Sequence, residues 1–374
     1  MNINFHYFAV KSIAVAAGFE ETQAQQIAKY SQFVDDYSAP LLMSCSNIPK
    51  EITSSGELDL FIPFSHVNFR PVSTGFARPF EYSTLIVRRE QRFVLSPFHF
   101  VPYDETGAGA ASSPVIPLAV GDNSLLDRLL HKEISNKSQN QNIALMRLGM
   151  LLHTFADTHA HQRFTGFTST ANRANITGVK NNITGEDCTA QARAGIRGLL
   201  NAATQSIPAI GHVQAGHNPD LSHISFSYTG GNGESHFCNN TEIFLEAGRN
   251  IFEYLKKYRG PVSNINDNLN SHESHIPDTR DDWNSLAPKL RQGFLVEIPR
   301  RDTVGGLAAH WAQLFPGNNY HYDSSEIRQG FRLTPASAAA LARNAFSAYS
   351  EEFYGYNVMA NEILIALYGA RPRR

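Results

Sequence analysis

The sequence predicts a mainly helical protein: a helical bundle with long irregular loops and a helical C-terminal extension. Three observations carry that expectation. The first 36 residues have the pattern of a helical hairpin, residues 139–161 form a proline-free apolar run, and a long helical pattern lies within residues 334–369.

The hairpin opens with an apolar run from Phe5 to Ala17 that stops at Gly18, a residue suited to the position just past a helix end. A second helix starts near Glu20, where Ala24, Ile27, Ala28, Ser31 and Val34 give it one small apolar face. It runs into Asp35 and Asp36 and is over by Pro40. In residues 41–125, prolines and glycines interrupt short apolar pieces such as Leu58 to Pro63, Ser83 to Arg88 and Gln91 to Phe98. These are expected to be loops and short strands.

The run over residues 139–161 carries Ile143, Leu145, Leu148, Met150, Leu151, Leu152 and Phe155 around its circumference, which predicts a buried helix. Residues 165–187 and 211–233 are polar or glycine-rich and are expected as loops. Helices are expected over 188–204 and 242–258. A stretch rich in Asn, Asp, Ser and His over 261–282 has the composition of a linker. It divides the chain into residues 1–260 and a helical extension or subdomain, 261–374. That extension is expected to hold helices over 283–291 and within 334–369, the latter starting at Thr334-Pro335.

Composition narrows the class of function. Hydrophobic residues are 42% and charged residues 18% of 374, as in ordinary soluble globular chains. A formal charge of -2 gives no electrostatic footprint for duplex nucleic acid or an anionic membrane surface. No run approaches the ~18 apolar residues of a membrane span. The N-terminus lacks a basic start and apolar stretch, so the expected location is the cytoplasm. Cys45, Cys188 and Cys238 are too few and too far apart for a disulfide framework or a cysteine zinc site. The chain has no Gly-x-Ser-x-Gly elbow, no GxxxxGK[ST] phosphate loop and no dinucleotide fingerprint.

Chemistry is signalled by 15 histidines that cluster. His153, Asp157 and His161 are spaced four apart and share a helix face. The outer pair would be about 12 Å apart, too far to hold one ion, so Asp157 is expected to bridge two ions with a histidine on either side. His6 opens the first helix and Asp35 and Asp36 close the second, ends that an antiparallel hairpin brings together. Carboxylates at a helix C-terminus oppose the dipole and need another reason to be there. His99 sits between two aromatics. His212 and Asp220, with His217 able to join them, lie in a loop shaped by Gly211 and Gly216. Glu242 and Glu246 share one face of the next helix and are expected to be solvated.

An N-terminal histidine, an aspartate ending the hairpin, a mid-chain histidine and a buried His-x3-Asp helix together resemble the zinc-dependent phospholipase C superfamily. Fungal zinc nucleases that cut single strands share that fold. A bacterial group of zinc metallophospholipases C, some delivered by specialised secretion systems, is the nearer resemblance. It implies a helical fold, two or three zinc ions (other divalent metals being possible) and hydrolysis of phospholipid head-group phosphate esters, possible at a membrane surface. By position, His6 and Asp35 match the first histidine and aspartate, with Asp36 as a substitute, and either aspartate would act as the base. His99, His153, Asp157 and His161 match the residues that follow. The pattern departs in two places: His161 follows Asp157 by four residues rather than six, and His212, His217 and Asp220 stand in for a final His-x3-acidic pair. Met1 lies five residues before His6, where the superfamily has a metal-binding N-terminal tryptophan. The resemblance spans residues 1–255. It leaves a single-strand nuclease, or a non-catalytic metal-stabilised effector, as alternatives. Nucleic acid is disfavoured because no basic cluster accompanies the aromatics.

Overall fold

Asn140 starts the central helix by accepting hydrogen bonds at its side chain from the backbone N–H groups of Asn142 and Ile143. The structure, a computed structural model, describes residues 1–39, 43–44, 61–63, 67–75, 90–103, 112–135, 140–203, 209–260, 280–297, 303–333 and 349–369. In chain order, helix α1 begins as a widened π-helical segment, Asn4–Ala9, and continues as Val10–Ala16. Gly18, at φ 97°, then turns the chain into α2 (Glu21–Asp36), which a Glu20/Gln23 capping box starts. Three short strands follow, β1 (Met43–Ser44), β2 (Phe61–Pro63) and β3 (Val67–Phe69), paired in the order β1-β3-β2.

Next come α3 (Gln91–His99), which is π-helical, α4 (Leu125–Ser135) and the central α5 (Gln141–Ala160). A three-stranded antiparallel sheet is made by β4 (Ala174–Asn181), β5 (Ile224–Gly230) and β6 (Ser235–Asn239), with α6 (Thr189–Ala203) between β4 and β5. The chain then runs through α7 (Asn240–Arg259), α8 (Arg280–Phe294), α9 (Thr303–Leu314), α10 (Ser324–Gly330) and α11 (Glu351–Tyr368).

Mainly helical architecture agrees with the sequence pattern, but the sheet does not. Strands β4 and β5 fall in stretches expected as loops. Along β4 the buried positions Ala174, Ile176, Val179 and Asn181 alternate with Asn, Thr and Lys, and a register shift between Ile176 and Gly178 breaks the alternation. The piece Gln91 to Phe98, expected as loop or strand, is helical despite Pro97. Residues 261–279 of the expected linker, Cys45, Ser83 to Arg88 and the start of the 334–369 helix lie outside the described residues, and residues 280–282 of that linker are helical instead.

Two cores flank the central helix. The larger joins Phe5, Ile13, Ile27 and Leu151 to Leu290, Phe294, Trp311, Met359 and Leu364, so residues on both sides of position 260 share one apolar interior. The smaller lies under the sheet and holds Ile176, Phe226, Tyr228 and Phe164. Among the described residues no helix is long and apolar enough to cross a membrane.

Helices α2 and α5 meet backbone to backbone. A Cβ added at Gly149 would lie 2.3 Å from the Ile27 carbonyl oxygen, a distance no real Cβ tolerates. Asp35 stands about two turns beyond Ile27 and His153 one turn beyond Gly149, so this close approach delivers them to a common point. Gly149→Ala is therefore expected to destabilise the fold by about 2 kcal/mol, measured by urea denaturation, because neither backbone can yield.

His159, also on α5, is buried with no hydrogen-bond partner for Nε2. Burial pushes its imidazole down to about 4 from an ordinary 6.5. The unfolded chain thus binds the proton first as pH falls, and stability is lost progressively between about pH 6.5 and 4. In metal-free protein, His159→Leu is expected to flatten that decline by up to about 3 kcal/mol. An equal acid slope in both proteins would place the loss elsewhere.

Candidate metal centre

Asp157 occupies the last turn of α5 with only 1% of its side chain exposed. Its two oxygens face different sets of groups. Oδ1 accepts from the Met1 amine at 2.5 Å and faces His6 Nε2 at 3.1 Å. Oδ2 faces His99 Nδ1 at 3.1 Å and His153 Nε2 at 3.4 Å. Asp35 completes the second set, with Oδ1 3.7 Å from both His99 Nδ1 and His153 Nε2. A third set lies beyond the helix end. His161 Nε2 is 3.2 Å from Asp220 Oδ1, and His212 Nε2 is 3.5 Å from Asp220 Oδ2. His161 is the cap residue of α5; its Nδ1 stays 3.7 Å from Asp157 Oδ2 while its Nε2 faces Asp220.

Three groups thus have ligand atoms within 4.8 Å of one another: His6, His153 and Asp157; Asp35, His99 and His153; and His161, His212 and Asp220. Both π-helical segments carry one of these histidines, His6 in α1 and His99 at the end of α3. Such widened turns recur at functional sites, because the extra residue re-aims a side chain.

The outer nitrogens of three rings are tied to backbone carbonyls. His99 Nε2 donates to Thr74 O at 2.8 Å, His161 Nδ1 to His99 O at 2.8 Å, and His212 Nδ1 to Gly216 O at 2.9 Å. In a neutral ring the inner nitrogen is then a lone pair. For His212, burial pushes the imidazole down to about 4, so near neutral pH its lone pair confronts a carboxylate. Two acceptors at that range repel unless a cation lies between them. His6 Nδ1 and His153 Nδ1 are buried with no partner.

The charges are mutually dependent. Burial raises the Asp157 carboxyl, but His161, the Met1 ammonium, His153 and His6 outweigh it and hold it well below the ordinary range. Burial raises Asp35, and the attraction of His153 and His99 only partly offsets this. Burial lowers the Met1 amine, yet Asp157 and Asp220 overcome that and lift it to about 10.

Of the residues singled out in the sequence, His6, Asp35, His99, His153, Asp157, His161, His212 and Asp220 converge. Two lie apart. Asp36 accepts from the Tyr322 hydroxyl instead, since adjacent helical positions point about 100° apart. The His217 side chain is 73% exposed, with Nδ1 4.0 Å from Asp220 Oδ2, and it belongs to none of the three groups. Glu242 pairs with Arg291.

Supporting residues were invisible in the sequence. Gln32 donates to Asp35 Oδ2 at 3.3 Å, and the Asn240 side chain donates to the carbonyls of Asn218 and Leu221, holding the Asp220 loop. Carbonyl partners such as Thr74 O have no side-chain signature at all.

Residues 1–362 match a family described as Family of unknown function (DUF6765). The chain belongs to that family. No curated protein and no solved structure matches it. The family match covers all eight converging residues and extends through α8, α9 and α10.

Phe100 stacks on His161 at 4.7 Å between ring centroids. Gly211, at φ 49°, leaves it room, because a Cβ there would lie 2.7 Å from the Phe100 ring. Gly211→Ala should therefore disturb His161 and, if the site takes zinc, shrink a zinc-induced rise in Tm, while the metal-free Tm falls by only a few degrees. An unchanged zinc-induced rise would separate Phe100 from the site.

Proposed function

We propose that this chain is a zinc-dependent phosphodiester hydrolase of the phospholipase C type, cleaving the head-group phosphate ester of phospholipids. The observation that carries the reading is the two-sided Asp157 carboxylate, flanked by three adjoining groups of imidazoles and carboxylates. Buried acceptors crowded this closely fit divalent cations, and a set of imidazole and carboxylate donors without sulfur suits zinc. His6, Asp157 and the Met1 amine would hold one ion, Asp35, His99, His153 and Asp157 a second, and His161, His212 and Asp220 a third. Ions in such positions stabilise charge building on a phosphoryl oxygen and acidify water.

The remaining steps fall to the chain's own groups. Asp35 is the most exposed of the three carboxylates, at 31%, so an approaching phosphodiester meets it first. Its Oδ2, which accepts from Gln32, would take a proton from the attacking water as a P–O bond forms in line with the ester P–O bond that breaks, the departing alkoxide taking a proton from solvent. Gln32 keeps that carboxylate oriented. The ions would also neutralise the phosphate. The near-neutral formal charge favours phospholipid over nucleic acid.

One observation favours a rival. The Met1 ammonium lies 2.5 Å from Asp157 and 3.4 Å from Asp220, and could balance the carboxylates without any ion. Elemental analysis, paired with hydrolysis of a phosphocholine lipid and of single-stranded DNA, separates the readings. Two or three zinc per chain are expected with lipid cleaved and DNA intact, and Asp157→Asn is expected to lose metal and at least about 100-fold in hydrolysis. DNA cleavage alone would indicate the nuclease. Protein that binds no zinc, manganese or iron and hydrolyses neither substrate leaves the internally balanced network.

A further inference from the structure

Helices α8 and α9 with the segment through α10 form a strap across the N-terminal hairpin. Tyr320 bonds Ser12 at 2.6 Å, and the Lys11 ammonium, buried to 0%, bridges Glu21 and the Asn319 carbonyl. The Tyr7 hydroxyl donates to the His321 carbonyl and accepts from its N–H. Most of these contacts grip the outside of the hairpin, but one reaches the end that carries the site.

That contact is Asn4, whose side chain is 0% exposed. Its Oδ1 accepts from the Trp311 indole at 2.7 Å, and its Nδ2 donates to Ser222 Oγ at 3.0 Å and to the Gly293 carbonyl at 3.1 Å. Three of the four bonds an asparagine amide can make are therefore filled by named partners. Ser222 is itself fixed, its hydroxyl donating to Phe294 O at 2.8 Å and its carbonyl accepting from Thr241 at 2.8 Å. The indole reaches Asn4 only because Gly293 lacks a side chain, since a Cβ there would sit 2.5 Å from the Trp311 ring. Stacking on Phe315 and the edge of Phe294 hold it in place.

Asn4 stands three residues after Met1 and two before His6, and Ser222 stands two residues after Asp220. One amide thus bolts together two chain segments that meet at the centre, the start of α1 and the Asp220 loop. We propose that Asn4 is a positioning residue of the metal centre, held by Trp311 and Ser222, and that the strap exists to fix the Met1–His6 end of the site against the Asp220 end. The inference rests on the metal-binding reading above. It assigns a role in that site to C-terminal residues that contribute no ligand. Partners that orient a ligand-bearing segment matter to metal affinity nearly as much as the ligands do, because sub-ångström looseness spoils coordination geometry.

The test uses cobalt(II) as the probe on the full-length chain, with Trp311→Phe and Ser222→Ala. Trp311→Phe keeps an aromatic ring but deletes the N–H donor together with part of the indole volume, and Ser222→Ala deletes one hydroxyl. Affinity is read by competition with a chromophoric chelator, coordination by the visible d–d absorption bands, and fold by far-ultraviolet circular dichroism. Both variants are expected to keep wild-type helicity, bind cobalt about 10- to 100-fold more weakly and show altered d–d bands. Wild-type affinity and spectrum in both would overturn the positioning role while leaving the metal reading intact. Wild-type protein that binds no cobalt would overturn both. Should Trp311→Phe fail to fold, Ser222→Ala alone decides, since it removes no packing volume beyond one oxygen.

Discussion

A carboxylate sealed from water in the last turn of a buried helix sets the terms for everything around it. An isolated ionised Asp157 would cost several kcal/mol in that environment, and the fold meets the cost by gathering positive or polarisable groups from three segments. The Met1 amine, His6, His99, His153 and His161 all lie within 4 Å of a carboxylate oxygen. None of them is close to all the others in sequence, so the centre exists only once α1, α3 and α5 are docked. The glycine contact between α2 and α5 is what makes the docking close enough. It also brings Asp35 alongside, which adds a second negative charge and deepens the need for a cation.

The three groups differ in access, and the difference divides the labour. His6, His153 and Asp157 are sealed, with exposures of 0%, 0% and 1%, whereas Asp35, His212 and Asp220 are partly open. A closed set of ligands suits a structural ion, and an open one leaves room for water and substrate. His212 and Asp220 lie in the chain between α6 and β5, whereas Asp35 lies at the end of a helix, so access arises both in irregular backbone and at a helix end.

Much of this was legible in the chain because helical spacing is regular. His153 and Asp157 four residues apart on an apolar helix, and His6 and Asp35 at the paired ends of a hairpin, are inferences that periodicity licenses. His161, the cap of that apolar helix, stays 3.7 Å from Asp157 but turns Nε2 toward Asp220, a partner that helical spacing cannot announce. The same logic could not separate Asp35 from Asp36, because that choice depends on which neighbour packs on which side. Nor could it find the sheet. The outward positions of β4 and β5 are Asn, Ser and Thr, residues that also favour loops, and the bulge in β4 breaks the alternation. The carbonyls that orient His99, His161 and His212 carry no sequence signal, so the tautomers emerge only from the fold.

The division of the chain at residue 260 illustrates a further limit. A shift in composition marks where the chain is polar and poor in core residues, which is a property of connectivity. A folding unit is defined by shared burial, and here Leu290, Phe294 and Trp311 are buried in the same cluster as Phe5, Phe8 and Ile13. Trp311 also stacks against Phe8, two residues beyond His6. Removing the C-terminal helices would therefore strip α1 of its outer wall and expose large aromatic surfaces beside the site. The cost would fall on the segment that carries Met1 and His6, whose order the site requires. Chain that supplies none of the converging residues is, on this argument, as necessary to the centre as the helix that supplies Asp157.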